Sequence, residues 1–220
     1  MKYVYREFKV IWKRFFDNFK IAFVGMDVKL DSVYREVESQ RIKTNFVNII
    51  PFSVFVIIFE LSSGIFNIAA GDIWYCRVGT GVACLSFLLF NILAYVFLER
   101  TLASGDATDK CKEYFTYLYW GVYVITASLI NSFETISSGS ISSFFLTVFS
   151  LTSFAMLEPK IIFIYYFVIA AEQTAVTIIT KSSFEVLVFS LFTVAVGLFL
   201  SIFKYCTYMN RSIETKRFER

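Results

Sequence analysis

The sequence predicts an all-α integral membrane protein: a six-transmembrane helix bundle with an N-terminal amphipathic interfacial segment and a cytoplasmic exit helix. Three observations carry this. First, 57% of the 220 residues are hydrophobic and 18% charged, against roughly 45–50% and about 25% in soluble chains. A chain this short has too little interior to hide so much apolar surface from water, so its solvent is lipid. Second, apolar stretches recur at lengths close to the ~20 residues that a bilayer-crossing helix needs. Third, the basic residues fall almost entirely on one side of those stretches. The boundaries follow: interfacial helices over 1–43, the membrane bundle over 44–203, and the exit helix over 204–220.

At the N-terminus, Tyr5, Phe8, Trp12, Phe15 and Phe19 recur at helical spacing, with Arg6, Lys9, Lys13 and Lys20 largely elsewhere on the wheel. An aromatic face in the acyl boundary with cations near anionic headgroups is the composition of an interfacial helix. Phe8, Lys9, Trp12, Lys13, Phe15 and Phe19 are therefore its expected membrane-surface residues. A helix docked on the cytoplasmic side of the bundle has the same pattern. No cleavable signal is expected, since the first apolar residues are interleaved with Lys and Arg. After Gly25, Asp31 and Ser32 can cap a second helix, Val33–Lys43, running straight into the first span.

Six spans are expected: Phe46–Asn67, Val78–Leu98, Tyr114–Phe133, Ile141–Leu157, Ile161–Thr180 and Phe184–Phe203. The fourth is the shortest and is rich in Ser. Pro51 lies near the start of the first span, where a missing N–H costs less than it does mid-helix. Pro159 can open the fifth span, a position that needs no N–H. Trp74, Tyr75, Tyr114, Tyr117, Tyr119, Trp120 and Tyr205 sit near span ends, where amphipathic rings favour the membrane interface. With the N-terminus inside, nineteen Lys and Arg fall on the cytoplasmic side and only Arg77 and Lys181 outside. By the positive-inside rule the chain is a multi-pass protein of the cytoplasmic (bacterial inner) membrane with both ends in the cytoplasm.

Composition also bears on chemistry. His is absent, and the nine Gly and two Pro are scattered, so there is no His base, His-ligated metal or Gly-rich phosphate loop. Cys76, Cys84, Cys111 and Cys206 show neither CxxC nor ligand spacing and read as packing residues or free thiols. No catalytic residue, no metal, no cofactor and no nucleic-acid partner is expected. What remains is a set of polar groups inside spans, where ionisable residues are expensive and face the bundle interior, a cavity or a partner. Glu172 and Gln173 lie in the fifth span, Glu60 in the outer half of the first, and Asn131 and Glu134 at the outer end of the third. These three spans all run outward, so the groups gather between mid-membrane and the external face, as a cavity for a small external ligand or cation would require. Burial of neutral, hydrogen-bonded side chains has the same signature. Asn91 reads as glue between helices.

From Phe184 to Arg220 there is no Pro and only Gly197, so the last span is expected to continue into a basic cytoplasmic helix. Lys204, Met209, Arg211 and Ile213 mark its output face; a solvated tail that fixes topology is the plainer alternative. The charged helix Tyr34–Lys43 enters the first span directly. Ser128-Leu-Ile-Asn-Ser-Phe-Glu134 is followed by Gly139-Ser-Ile-Ser142, and Glu158-Pro-Lys160 precedes the fifth span. Together with the basic exit helix, these features over residues 30–220 resemble the six-span sensory modules of bacterial, mainly Firmicutes-type, GGDEF diguanylate cyclases and some sensor kinases. The resemblance implies a non-enzymatic sensor working as a homodimer in the lipid bilayer, relaying a cue through its last helix to a cytoplasmic output domain or partner protein. No GGDEF motif or kinase core lies within residues 1–220, so that output would follow Arg220 or come from a partner. The alternative of a different class is a small-solute transport component, such as a substrate-capture subunit. A membrane enzyme using Glu172 and Glu134 is a third reading, with no paired-carboxylate or metal pattern behind it.

Overall fold

A computed structural model of the chain describes residues 13, 32–70, 73–104 and 107–219. The expected membrane-surface residues Phe8, Lys9, Trp12, Phe15 and Phe19 lie outside the described residues, as does the side chain of Glu60; Lys13 is exposed. Among the described residues there are six helices and no strand: α1 (Ser32–Ala70), α2 (Trp74–Ser104), α3 (Asp109–Ser138), α4 (Ser142–Phe154), α5 (Pro159–Ile179) and α6 (Phe184–Phe218). Four of them are long and apolar enough to cross a membrane, over Ser32–Ile58, Trp74–Ala103, Pro159–Ile179 and Phe184–Phe218. The chain is thus a helical membrane protein by length and composition.

Local sequence explains the helix ends. The Thr108 hydroxyl accepts from the Cys111 amide and the Ser183 hydroxyl from the Val186 amide, capping α3 and α6. Pro159 sits in the first turn of α5, as expected. Gly139 closes α3 in the left-handed region at φ 70°, its N–H returning to the Thr135 carbonyl. The junction between the expected helix Val33–Lys43 and the first apolar stretch is seamless, and α1 is one 39-residue helix. One expectation changes as a result: Pro51 lies in the middle of that helix, where it removes the N–H that would bond Val47.

The helix at the centre, α3, packs against α1, α2, α4 and α5, while α6 lies against α5, α4 and α1. Of the long helices, α3 is the one too polar to stand among the four apolar ones. Its position accounts for this, because a helix lined by other helices meets protein partners where its neighbours meet lipid. Tyr119, Trp120 and Tyr123 of α3 pack edge-on or tilted on Phe52 of α1, with ring centroids 4.3–6.2 Å apart, a separation favourable for aromatic pairs. Tyr119, Trp120 and Tyr205 are accordingly core residues. Of the aromatics expected at the interface, Trp74, Tyr75 and Tyr114 are the exposed ones. Asn91 is glue as expected: its Oδ1 accepts from the Tyr119 hydroxyl at 2.7 Å, tying α2 to α3.

The expected fourth span shrinks to the 13 residues of α4, about 20 Å of helix against a ~30 Å hydrocarbon core. The chain then continues non-helically, with Ala155 and Leu157 buried. Bare backbone inside a bundle must find partners in protein, and here it does. Asn45 of α1 clamps the Met156 peptide, accepting from its N–H at 3.2 Å and donating to its carbonyl at 2.5 Å. Lys204 of α6 donates to the carbonyls of Thr152 and Ser153 at 2.7 and 3.0 Å. At the other end, the Glu134 carboxylate accepts from the Ser143 amide at 2.9 Å and the Ser140 hydroxyl at 2.7 Å. The helix therefore has an anion at its N-terminus and a cation at its C-terminus, each matched to the helix dipole and each supplied by another helix.

Candidate functional site

Among the described residues, two polar clusters within the bundle stand out. The first joins α3 to α5 where the sequence placed its candidate ligand groups. Asn131 follows the aromatic stretch of α3 on the same helix, and Glu172 and Gln173 lie past the midpoint of α5. Asn131 Nδ2 approaches both carboxylate oxygens of Glu172, at 3.0 and 3.1 Å, and Gln173 Oε1 at 2.9 Å. The Ser132 hydroxyl donates to Glu172 Oε1 at 2.5 Å. Asn131 and Gln173 are 1% and 0% exposed, whereas Glu172 and Ser132 are part-buried. The ion pairs among the described residues join Arg41 to Glu38 and Glu113, and Lys216 to Glu36; none of them reaches Glu172. Two buried atoms of the cluster, Asn131 Oδ1 and Gln173 Nε2, have no hydrogen-bond partner.

Of the sequence-derived ligand residues, the structure brings Asn131, Glu172 and Gln173 together and adds Ser132. The Glu134 carboxylate is instead taken up by the N-terminus of α4, one turn further along the same helix. The signal for Ser132 was its place beside Asn131 on a helix that packs against α5, from which its hydroxyl reaches the Glu172 carboxylate.

The second cluster was not foreseen. Arg41 of α1, 1% exposed, is the largest fully buried side chain among the described residues. Its guanidinium grips Glu38 through two nitrogens at 3.0 and 2.6 Å, and reaches Glu113 of α3 at 2.9 Å and the Met156 carbonyl at 2.8 Å. Its cationic carbon lies 5.5 Å from the centroid of the Tyr205 ring of α6, within cation–π range. The Tyr117 hydroxyl donates to Glu113 at 2.6 Å. A single arginine of α1 thus ties its own helix to α3, α6 and the connection between α4 and α5. Carboxylate oxygens of Glu38, Glu113 and Glu158 lie within 4.8 Å of one another; Arg41 supplies the positive charge to the first two. The spacing of Glu38 and Arg41, three apart on a helix, was the available signal, but its burial was not readable.

The expected output residues divide. Lys204 belongs to the α4 cap, and Met209 is buried. Ile213 packs at the edge of the core, and Arg211 is exposed. Arg211 lines a shallow polar groove with Gln40, Ser212, Thr215, Lys216 and Glu219. Lys216 pairs with Glu36 at 2.6 Å, so the end of α6 meets the start of α1. Cys76, Cys84 and Cys206 are buried and Cys111 is exposed.

No family model, no curated protein and no solved structure matches this chain.

Proposed function

We propose that the chain is a membrane sensory module, oriented with both ends in the cytoplasm and crossing the membrane six times, the fourth crossing being made by α4 together with the non-helical chain that follows it. In this reading an external cue acting at the α3–α5 polar cluster biases two packings of the bundle, and α6 reports the change to a cytoplasmic output such as a diguanylate cyclase or kinase, in a homodimer. The observation that carries it is the unbroken 35-residue α6. At 1.5 Å per residue it spans about 52 Å, enough to connect the outer half of the bundle with the Arg41 cluster and the α1 start. A cue can shift such an equilibrium only by its differential affinity for the two states. In support of this reading, α3 carries Asn131 toward one end and Glu113 toward the other, so one helix would couple the two clusters.

Spin labels at Gln40 and Arg211, both exposed, read this directly. The distance distribution between them is expected to differ between the wild type and Glu172→Gln in nanodiscs. Superimposable distributions would remove the sensory reading.

A second reading, a small-solute transport component, is favoured by α4. Discontinuous helices with capped ends are the devices by which transporters build sites near the bilayer midplane, and α4 is short, capped at both ends and followed by buried non-helical chain. Glu172-dependent solute uptake into membrane vesicles would place transport first.

A further inference from the structure

The Asn131–Glu172 cluster is a strange way to bury a carboxylate. Glu172 sits on a helix long and apolar enough to span a membrane, where an unpaired charge is costly, and its partners are the neutral groups of Ser132 and Asn131. Meanwhile a single amide nitrogen, Asn131 Nδ2, lies within 3.1 Å of three oxygens. An amide carries two N–H donors, so three acceptors converge on a point that two hydrogens serve. On the other side of the same amide, Oδ1 is buried with no donor, which is unfavourable for a polar atom taken out of water.

We infer that this cluster is a binding site for a small monovalent cation, an alkali ion. Turning the Asn131 amide about its last torsion brings Oδ1 into the place now held by Nδ2. The ion would then be offered oxygens only: both from Glu172, the amide oxygens of Asn131 and Gln173, and the Ser132 hydroxyl. Charge decides the valence. One carboxylate with neutral oxygens is balanced by a single positive charge. A divalent ion would leave the site net positive within the bundle, and the neighbouring carboxylate of Glu134 is committed to α4. The inference deepens the sensory reading by making the ion its external cue, and it rests on that reading only for the consequence, not for the binding.

The experiment is equilibrium binding of radioactive sodium and rubidium to the full chain in nanodiscs, with choline chloride holding ionic strength constant. Saturable binding of one of the two ions is expected, in about a one-to-one ratio with the chain. It should weaken by about 10–100-fold in Glu172→Gln and Ser132→Ala, and remain unchanged in Glu185→Gln, a carboxylate exposed in the first turn of α6. Absence of saturable binding of either ion overturns the inference, and so does equal binding by Glu172→Gln. Should that variant fail to fold, wild-type affinity in Ser132→Ala overturns it instead. The Gln40–Arg211 distance separates the two ideas. Binding that leaves this distance unchanged keeps the ion site and removes the sensory role, whereas movement in Glu172→Gln without any ion binding removes the ion alone.

Discussion

Arg41 shows how much one buried side chain can hold in a bundle whose other contacts are mostly apolar. Its planar guanidinium serves Glu38, Glu113 and the Met156 carbonyl at once, a fork geometry that a lysine ammonium cannot copy. Removing the charge leaves two part-buried carboxylates without their partner. Arg41→Met is expected to destabilise the fold by about 3 kcal/mol or more, and Arg41→Lys to recover only part of it, as read by thermal unfolding in detergent. Equal unfolding temperatures for the wild type and Arg41→Lys would show that charge alone suffices. Tyr119→Phe is a milder change, leaving Asn91 Oδ1 without its donor. About 1 kcal/mol is expected, as typical for a hydrogen bond between membrane helices. Residues of this kind divide cleanly in their legibility. Glu172, Asn131 and Gln173 stand out in the sequence because polar groups are conspicuous in apolar runs. Arg41, Glu38 and Glu113 lie in segments already rich in charge, where a buried arginine looks like any solvated one. Only the packing of α1 against α3 and α6 distinguishes it.

Among the elements, α4 departs furthest from its expectation, and the reason is physical. Residues 141–157 are apolar enough to suggest a full span, but hydropathy does not register where a helix stops. That is set by Asn45, Arg41 and Lys204, which stabilise the open backbone from more than forty residues away in sequence. Lys204→Met is expected to leave the Thr152 and Ser153 carbonyls uncapped and to speed hydrogen exchange through residues 152–157, with α5 unaffected. Uniform exchange across both segments would mean that the lysine has no local role. Close approach sets a second limit at Gly197 of α6. A Cβ there would meet the Val148 side chain at 2.8 Å and the Tyr166 ring at 2.9 Å. Both neighbours are buried, and Tyr166 is held by Thr152 and Ser201 at 2.5 and 3.1 Å. Gly197→Ala is therefore expected to cost about 1–3 kcal/mol as an overpacked core does, measured by the same unfolding assay. The sequence did foretell the long elements well: the seamless α1, the Pro159 start and the continuous α6 all follow from caps, proline and the length of apolar runs.

At the scale of the whole molecule, orientation can be tested without any mutation. Cys111 is exposed while Cys76, Cys84 and Cys206 are buried, and Cys111 lies at the start of α3, on the side that the positive-inside rule assigns to the cytoplasm. A membrane-impermeant maleimide is expected to label inverted membrane vesicles and not intact cells; labelling of intact cells would reverse the orientation. The central place of α3 bears also on how such a molecule is made. Its burial among α1, α2, α4 and α5 lets it carry Thr116, Thr126, Ser128, Asn131 and Glu134, but those same residues make it a poor candidate to leave the translocon alone. Chains emerge N-terminus first, so α1 and α2 are already available when α3 arrives, and α5 is not. Inserted in that order, α3 would meet α1 and α2 first, and its Asn131 would find Glu172 and Gln173 only once α5 follows.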